Sequence, residues 1–141
     1  MLNKYSAVWK FLTSLLIFAA PLASDSEPKA AARASALAWL TLVDTEKYSN
    51  SWDEAASLFK SKVSRGQWVR AIRSARGPLG AIQSRSFLGA VYKTQLPGAP
   101  NGKYVIIQYR ASFEKKEEAV ETITPMLDKD GVWRISGYFI R

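Results

Sequence analysis

Two carboxylates, two tyrosines and a series of arginines are the residues of this chain whose types and spacing suit them to chemistry. Asp44 closes an Ala-rich run, and Glu121 sits inside the β-branched run Ala119-Val-Glu-Thr-Ile-Thr124. In a pocket wall either carboxyl would be raised toward the range of a general base, with Tyr109 or Tyr138 as proton partner. Each also has a plainer reading. Asp44 can open the turn Asp44-Thr45-Glu46, and Glu121 is expected opposite Arg110 on a neighbouring strand, as a cross-strand ion pair. No catalytic residue is assigned, and Asp44 and Glu121 remain the candidates.

Arg65, Arg70, Arg73, Arg76 and Arg85 are candidates for holding phosphate or carboxylate groups, which the planar five-donor guanidinium suits. From Ala55 to Phe113 there is no acidic residue, while ten lysines and arginines fall in that stretch. An anionic partner would be drawn to it. Arg76 and Arg85 flank the Gly-Pro-Leu-Gly turn and are the ones better suited to holding that loop through its carbonyls. Trp39, Trp52, Trp68 and Trp133, with Tyr109 and Tyr138, are candidates for lining a ligand site. All of the tryptophans but Trp133 sit on apolar helical stripes, and core packing is the favoured reading of these rings.

Composition removes several alternatives. The chain has neither cysteine nor histidine, so disulfides, Ser-His-Asp and Cys-His nucleophiles and the usual zinc ligand sets are excluded. No metal site or cofactor is expected, and no nucleic-acid module is recognisable.

The elements that must position these residues read as helices first and strands afterwards. Lys29 to Val43 is rich in strong helix formers, with Ala36, Trp39, Leu40 and Val43 at helical spacing. Ser51-Trp-Asp-Glu54 has the form of a capping box opening a second helix, with Trp52, Ala56, Phe59 and Val63 on one stripe. Ser64-Arg-Gly-Gln67 opens a third, stapled by Val63 and Trp68 and stopped by a left-handed Gly77 before Pro78. Four strands follow: residues 84–95 bent at Gly89, then Tyr104 to Phe113, Ala119 to Leu127 and Val132 to Ile140. Asn101-Gly102 and Asp128-Lys-Asp-Gly131 supply turns, and Pro125 requires an edge or a bulge. Val105, Ile107, Tyr109, Ala111 and Phe113 share the face turned to the helices. A turn centred on Lys115-Lys116 gives the register that sets Arg110 opposite Glu121.

Lys4, Lys10, the apolar run Phe11 to Ala20 and the small residues around Ala23-Ser24 have the layout of a secretory leader. Residues 1–24 are thus expected to be a signal peptide, 25–33 a flexible lead-in and 34–141 a single α+β domain of three helices on a curved four-stranded antiparallel sheet. The full chain carries a net charge of +8; loss of Lys4 and Lys10 leaves 18 basic residues against 12 acidic, or +6.

The ending Asp130-Gly-Val-Trp-Arg-Ile-Ser-Gly-Tyr138 resembles the cystatin-like fold of the nuclear-transport-factor-2 superfamily. Ala38-Trp-Leu-Thr-Leu-Val-Asp44, Arg76-Gly-Pro-Leu-Gly80, Ser84-Arg85 and Leu96-Pro-Gly-Ala-Pro-Asn-Gly-Lys-Tyr104 resemble, more narrowly, the bacterial exported family called domain of unknown function 4019. The resemblance implies an exported setting and a cone between helices and sheet, which in the superfamily often holds a small molecule and in some members performs isomerase or dehydratase chemistry. The leading expectation is a noncatalytic binding module, periplasmic or secreted, for a small molecule or envelope protein. Association with an anionic surface through the basic helix, a cofactor-independent enzyme, and a homodimer through the open sheet face are the alternatives.

Overall fold

The computed structural model describes residues 27–141, and the leader expected at residues 1–24 lies outside them. Helix α1 (Glu27–Asp44) buries Ala32, Ala36, Trp39, Leu40 and Val43, one stripe at three- and four-residue spacing. It ends without glycine. Glu46 takes the left-handed conformation (φ 60°), and the amides of Glu46 and Lys47 bond back to the carbonyls of Val43 and Leu42 at 3.1 and 2.8 Å, a Schellman closure.

The expected second helix is two helices, α2 (Tyr48–Asp53) and α3 (Ser57–Lys62), so the helical layer has four members. Ser51 does not cap. It lies within α2, where its hydroxyl donates to the Tyr48 carbonyl at 2.6 Å, while the Glu54 amide donates to Asn50 O at 3.0 Å. The chain breaks at the fully buried Ala55-Ala56 because the Ala56 amide donates to the carbonyl of Ile135 (2.9 Å), a bond that a continuous helix would forfeit. Helix α3 then takes its cap from far along the chain: Asp128 accepts from the Ser57 amide at 3.0 Å and from its hydroxyl at 2.8 Å. Helix α4 (Arg65–Arg76) opens as expected, with both bonds of the Ser64/Gln67 box present at 3.2 and 2.9 Å.

Gly77 is not the left-handed stop. Its φ and ψ are −53° and −50°, and it begins a 3-10 turn (Gly77–Leu79). The left-handed residue is Gly80, at φ 73°. A Cβ on Gly80 would stand 2.9 Å from the Glu114 Cβ, because this loop is laced to the tip of the β2–β3 hairpin by the bonds Lys115 N to Leu79 O and Glu114 N to Ala81 O.

Strands β1 (Ile82–Lys93), β2 (Tyr104–Phe113), β3 (Lys116–Leu127) and β4 (Trp133–Ile140) form one antiparallel sheet in the order β1-β2-β3-β4. A bulge interrupts β1 between Phe87 and Gly89, and another accommodates Pro125 where β3 meets β4. Val105, Ile107, Tyr109, Ala111 and Phe113 are all buried, and the sheet packs this face on α1 and α4. The hairpin joining β2 and β3 turns on Glu114-Lys115, one position earlier than expected. A bulge between Ala111 and Phe113 returns half of the resulting two-residue shift in pairing, so the register differs from the expected one by a single residue: Tyr109 pairs with Glu121 and Arg110 with Val120. That single step turns Glu121 from the solvent face to the buried face. Among the described residues no helix is long and apolar enough to cross a membrane.

The two glycines of the loop separate by conformation. Gly80→Ala forces a side chain into left-handed backbone and into Glu114, and is expected to cost about 1–3 kcal/mol. Gly77→Ala, with helical angles and open space around its Cβ, is expected to be neutral or stabilising by up to about 1 kcal/mol. Urea denaturation of the two variants measures the difference.

Candidate functional site

The carboxylate of Glu121 is fully buried in the middle of the sheet. It does not meet Arg110. Its partner is Arg85 on β1, whose Nε donates to Oε1 at 2.6 Å and whose Nη2 donates to Oε2 at 3.2 Å. Arg85 is opposite Ala111, which is opposite Ala119; these two small residues leave room for the long side chain to cross β2 and reach β3. The far side of the same guanidinium donates to both oxygens of Asp44, at 2.8 and 3.0 Å, so one arginine bridges two carboxylates. Arg76, from the last turn of α4, donates to Asp44 at 2.9 Å and lies over the ring of Phe113 at 4.8 Å. The hydroxyl of Tyr138 on β4 closes the cluster by donating to Glu121.

Two guanidiniums thus neutralise two carboxylates. Burial works to raise the Asp44 pKa, but hydrogen bonds from Arg85 and Arg76 outweigh it and hold the carboxyl below its ordinary value. Burial also disfavours the charged form of Arg85, yet its bonds to Asp44 and Glu121 keep it more firmly protonated than a free guanidinium. Burial, reinforced by the neighbouring Glu121 carboxylate, pushes the Tyr138 hydroxyl far above its usual value, so it stays a neutral donor. These are the conditions of an internal ionic tie rather than of a base poised near neutral pH.

The aromatic candidates pack into the core around Ser51. Trp39 donates through Nε1 to the Ser51 carbonyl at 2.8 Å, and Trp68 to the Ser51 hydroxyl at 2.9 Å. Trp52 donates to the Val63 carbonyl at 2.8 Å. Trp39 stacks against Trp68 and Tyr138 with centroids 5.8 and 5.4 Å apart, and Tyr109 is buried beneath Phe87. With their N–H groups occupied by the protein, the three indoles present no free polar edge inward. The Tyr109 hydroxyl and Arg76 Nε are buried with no hydrogen-bond partner among the described residues.

The arginines divide. Arg76 and Arg85 face carboxylates inside the fold, and neither binds the loop carbonyls between them. Arg65 pairs with Asp53 and lies over the ring of Trp52, while Arg70 and Arg73 are exposed on α4. The candidates therefore form no single anion site.

Another opening lies away from this cluster. A groove of about 540 Å³ runs between α1 and the start of β4, lined by Trp39, Leu42, Glu54, Val132, Trp133 and Arg134 among others. The sequence offers Trp39 and Trp133 as lining rings but gives no sign that Glu54 joins them, since only the docking of β4 on α1 brings the three together.

The family model described as Protein of unknown function (DUF4019) matches residues 35–138. The chain belongs to this family. The match takes in Asp44, Arg76, Arg85, Glu121 and Tyr138, all five members of the buried cluster. No curated protein matches the chain.

A double-mutant cycle reads the cluster. Arg85→Met and Glu121→Gln are each expected to cost about 3–5 kcal/mol, because each strands a buried charge. Their coupling is expected to be about 1–3 kcal/mol by urea denaturation, where an exposed pair would give less than about 1 kcal/mol. Acid unfolding reads Asp44. Its folded pKa lies below the unfolded 3.8, so the stabilisation is fully present above that value and is lost as pH falls through the folded pKa. Asp44→Asn is expected to flatten the acid limb of the stability profile.

Proposed function

We propose that this chain is a noncatalytic binding module of an exported setting, working through its surface rather than through a reactive interior. The observation that carries this is the neutralisation of Asp44 and Glu121 by Arg76 and Arg85. The two carboxylates best placed for general-base work are tied to guanidiniums by hydrogen bonds, and Trp39 and Trp68 are packed around Ser51 with their N–H groups satisfied. A module of this kind gains from such an interior: the ionic tie and the core hold α1, α4 and the sheet in fixed relation, so that grooves between elements keep their shape without a bound partner.

The secretory layout of residues 1–24 supports the exported setting. Association with an anionic surface, the alternative reading, would rest on Arg70 and Arg73, since the other three arginines of the set are engaged with carboxylates. A patch that small gives little attraction at physiological ionic strength.

Native mass spectrometry of the protein purified from its own cell envelope tests the reading in one measurement. The expected mass is that of the chain without its leader, carrying a retained small molecule or protein partner that survives in Asp44→Asn. A full-length mass, or a bare protein with measurable turnover of a carbonyl substrate that Glu121→Gln abolishes, would overturn it.

A further inference from the structure

The groove between α1 and β4 has a chemical character of its own. Trp133 gives it a partly exposed indole ring while the buried Trp39 contributes only a margin, Leu42 and the half-exposed Val132 (47% accessible) give it an apolar lip, and its volume falls in the range of small-ligand sites. Its charged lining residues are Glu54 and Arg134. Arg134 is already engaged: it donates to Asp130 at 2.7 and 2.8 Å and reaches Asp128 at 3.4 Å. Glu54 belongs to none of the ion pairs formed among the described residues. The groove therefore offers aromatic and aliphatic surface beside one uncompensated carboxylate, on a chain whose overall charge is positive.

That combination selects for a cation. Indole faces attract positive charge through their quadrupole, most strongly for tryptophan, and a nearby carboxylate adds a direct Coulombic term. The distant positive residues of the chain are screened beyond about 8 Å at physiological salt, so Glu54 dominates at the groove. An anion or a neutral polar ligand would leave Glu54 opposed or unused.

We propose that this groove binds an organic cation, either a small alkylated ammonium or the basic side chain of a peptide, with Trp133 as its aromatic wall and Glu54 as its counter-charge. The proposal rests on the binding-module reading and names the ligand chemistry of that module. Trp39 is also a core residue, donating to Ser51, and stays unchanged in the test. Glu54 and Trp133 carry it instead. Glu54 sits at the exposed end of α2, and its side chain makes no hydrogen bond among the described residues, so Glu54→Gln alters the charge with little effect on the fold.

Isothermal titration calorimetry on the leaderless chain, with three probes, decides the matter. The probes are choline, its uncharged isostere with carbon in place of the quaternary nitrogen, and lysine blocked at both ends. Choline or blocked lysine is expected to bind at least about tenfold more tightly than the isostere, and which of the two does so identifies the source of the cation. Glu54→Gln is expected to weaken that binding by about tenfold with an unchanged melting temperature, and Trp133→Leu, which keeps apolar volume but removes the ring, by a similar factor. Binding of neither choline nor blocked lysine more tightly than the isostere, or a Glu54→Gln affinity equal to that of the parent, would overturn the cation proposal while leaving the module reading intact. Failure of all three probes to bind at millimolar concentration overturns it as well, and the module reading then stands or falls on the native mass measurement alone.

Discussion

The carboxylate of Glu121 sets the terms for the rest of this structure. An ionised group with no solvent exposure, in the middle of an antiparallel sheet, is tolerable only with a counter-charge and its lone pairs satisfied. Arg85 meets that need from β1, two strands away, and can do so only because Ala111 and Ala119 leave the crossing open. Arg85 then has donors to spare, which Asp44 accepts, and Asp44 in turn accepts from Arg76. A single buried charge thus links the end of α1, the end of α4 and three strands. The Gly77–Leu79 turn and the left-handed Gly80 between α4 and β1 follow from the same requirement, since they carry the chain from Arg76 to Arg85 with both side chains directed to one cluster.

Ser51 plays a comparable part on the other side of the core. One residue accepts from two indoles, through its carbonyl and its hydroxyl, and its own proton goes to Tyr48. Burying these rings around a serine satisfies both indole N–H groups and fixes α1, α2 and α4 against one another. The result is an interior in which aromatic area stabilises the fold instead of waiting for a ligand. Binding then falls to the seams between layers, where α1 meets β4 and the ring of Trp133 borders open space.

Asp128 connects those seams to the sheet. Although it belongs to the turn before β4, it caps α3 and touches Arg134, which also holds Asp130. Its carboxyl lies below its ordinary value, first because the Ser57 amide donates to it. The same turn that reverses the chain thereby anchors a short helix that lacks a cap from its own sequence, and it occupies Arg134 so that Glu54 is left as the groove's free charge.

Local sequence determined the elements that depend on near neighbours. The Ser64/Gln67 box, the amphipathic stripe of α1, the alternation of β2, the bulges at Gly89 and Pro125 and the order of helices before strands were all legible, because each is a matter of spacing or backbone chemistry within a few residues. So was the family, through motifs spread over most of the chain. What the sequence left undecided were choices between local options of similar free energy. Ser51 to Glu54 matches a capping box as well as Ser64 to Gln67 does, but the chain is already helical from Tyr48 and the Ser51 hydroxyl is occupied by the Tyr48 carbonyl and the Trp68 indole. Glu114-Lys115 and Lys115-Lys116 are equally good turns. The parity of Glu121 with Ala119 and Ile123, both buried, was the one available hint that it faces inward. The tertiary structure decided the register, since burying Ala119 and Ile123 outweighs any preference of an isolated hairpin, and with it carried Glu121 to Arg85 and away from Arg110.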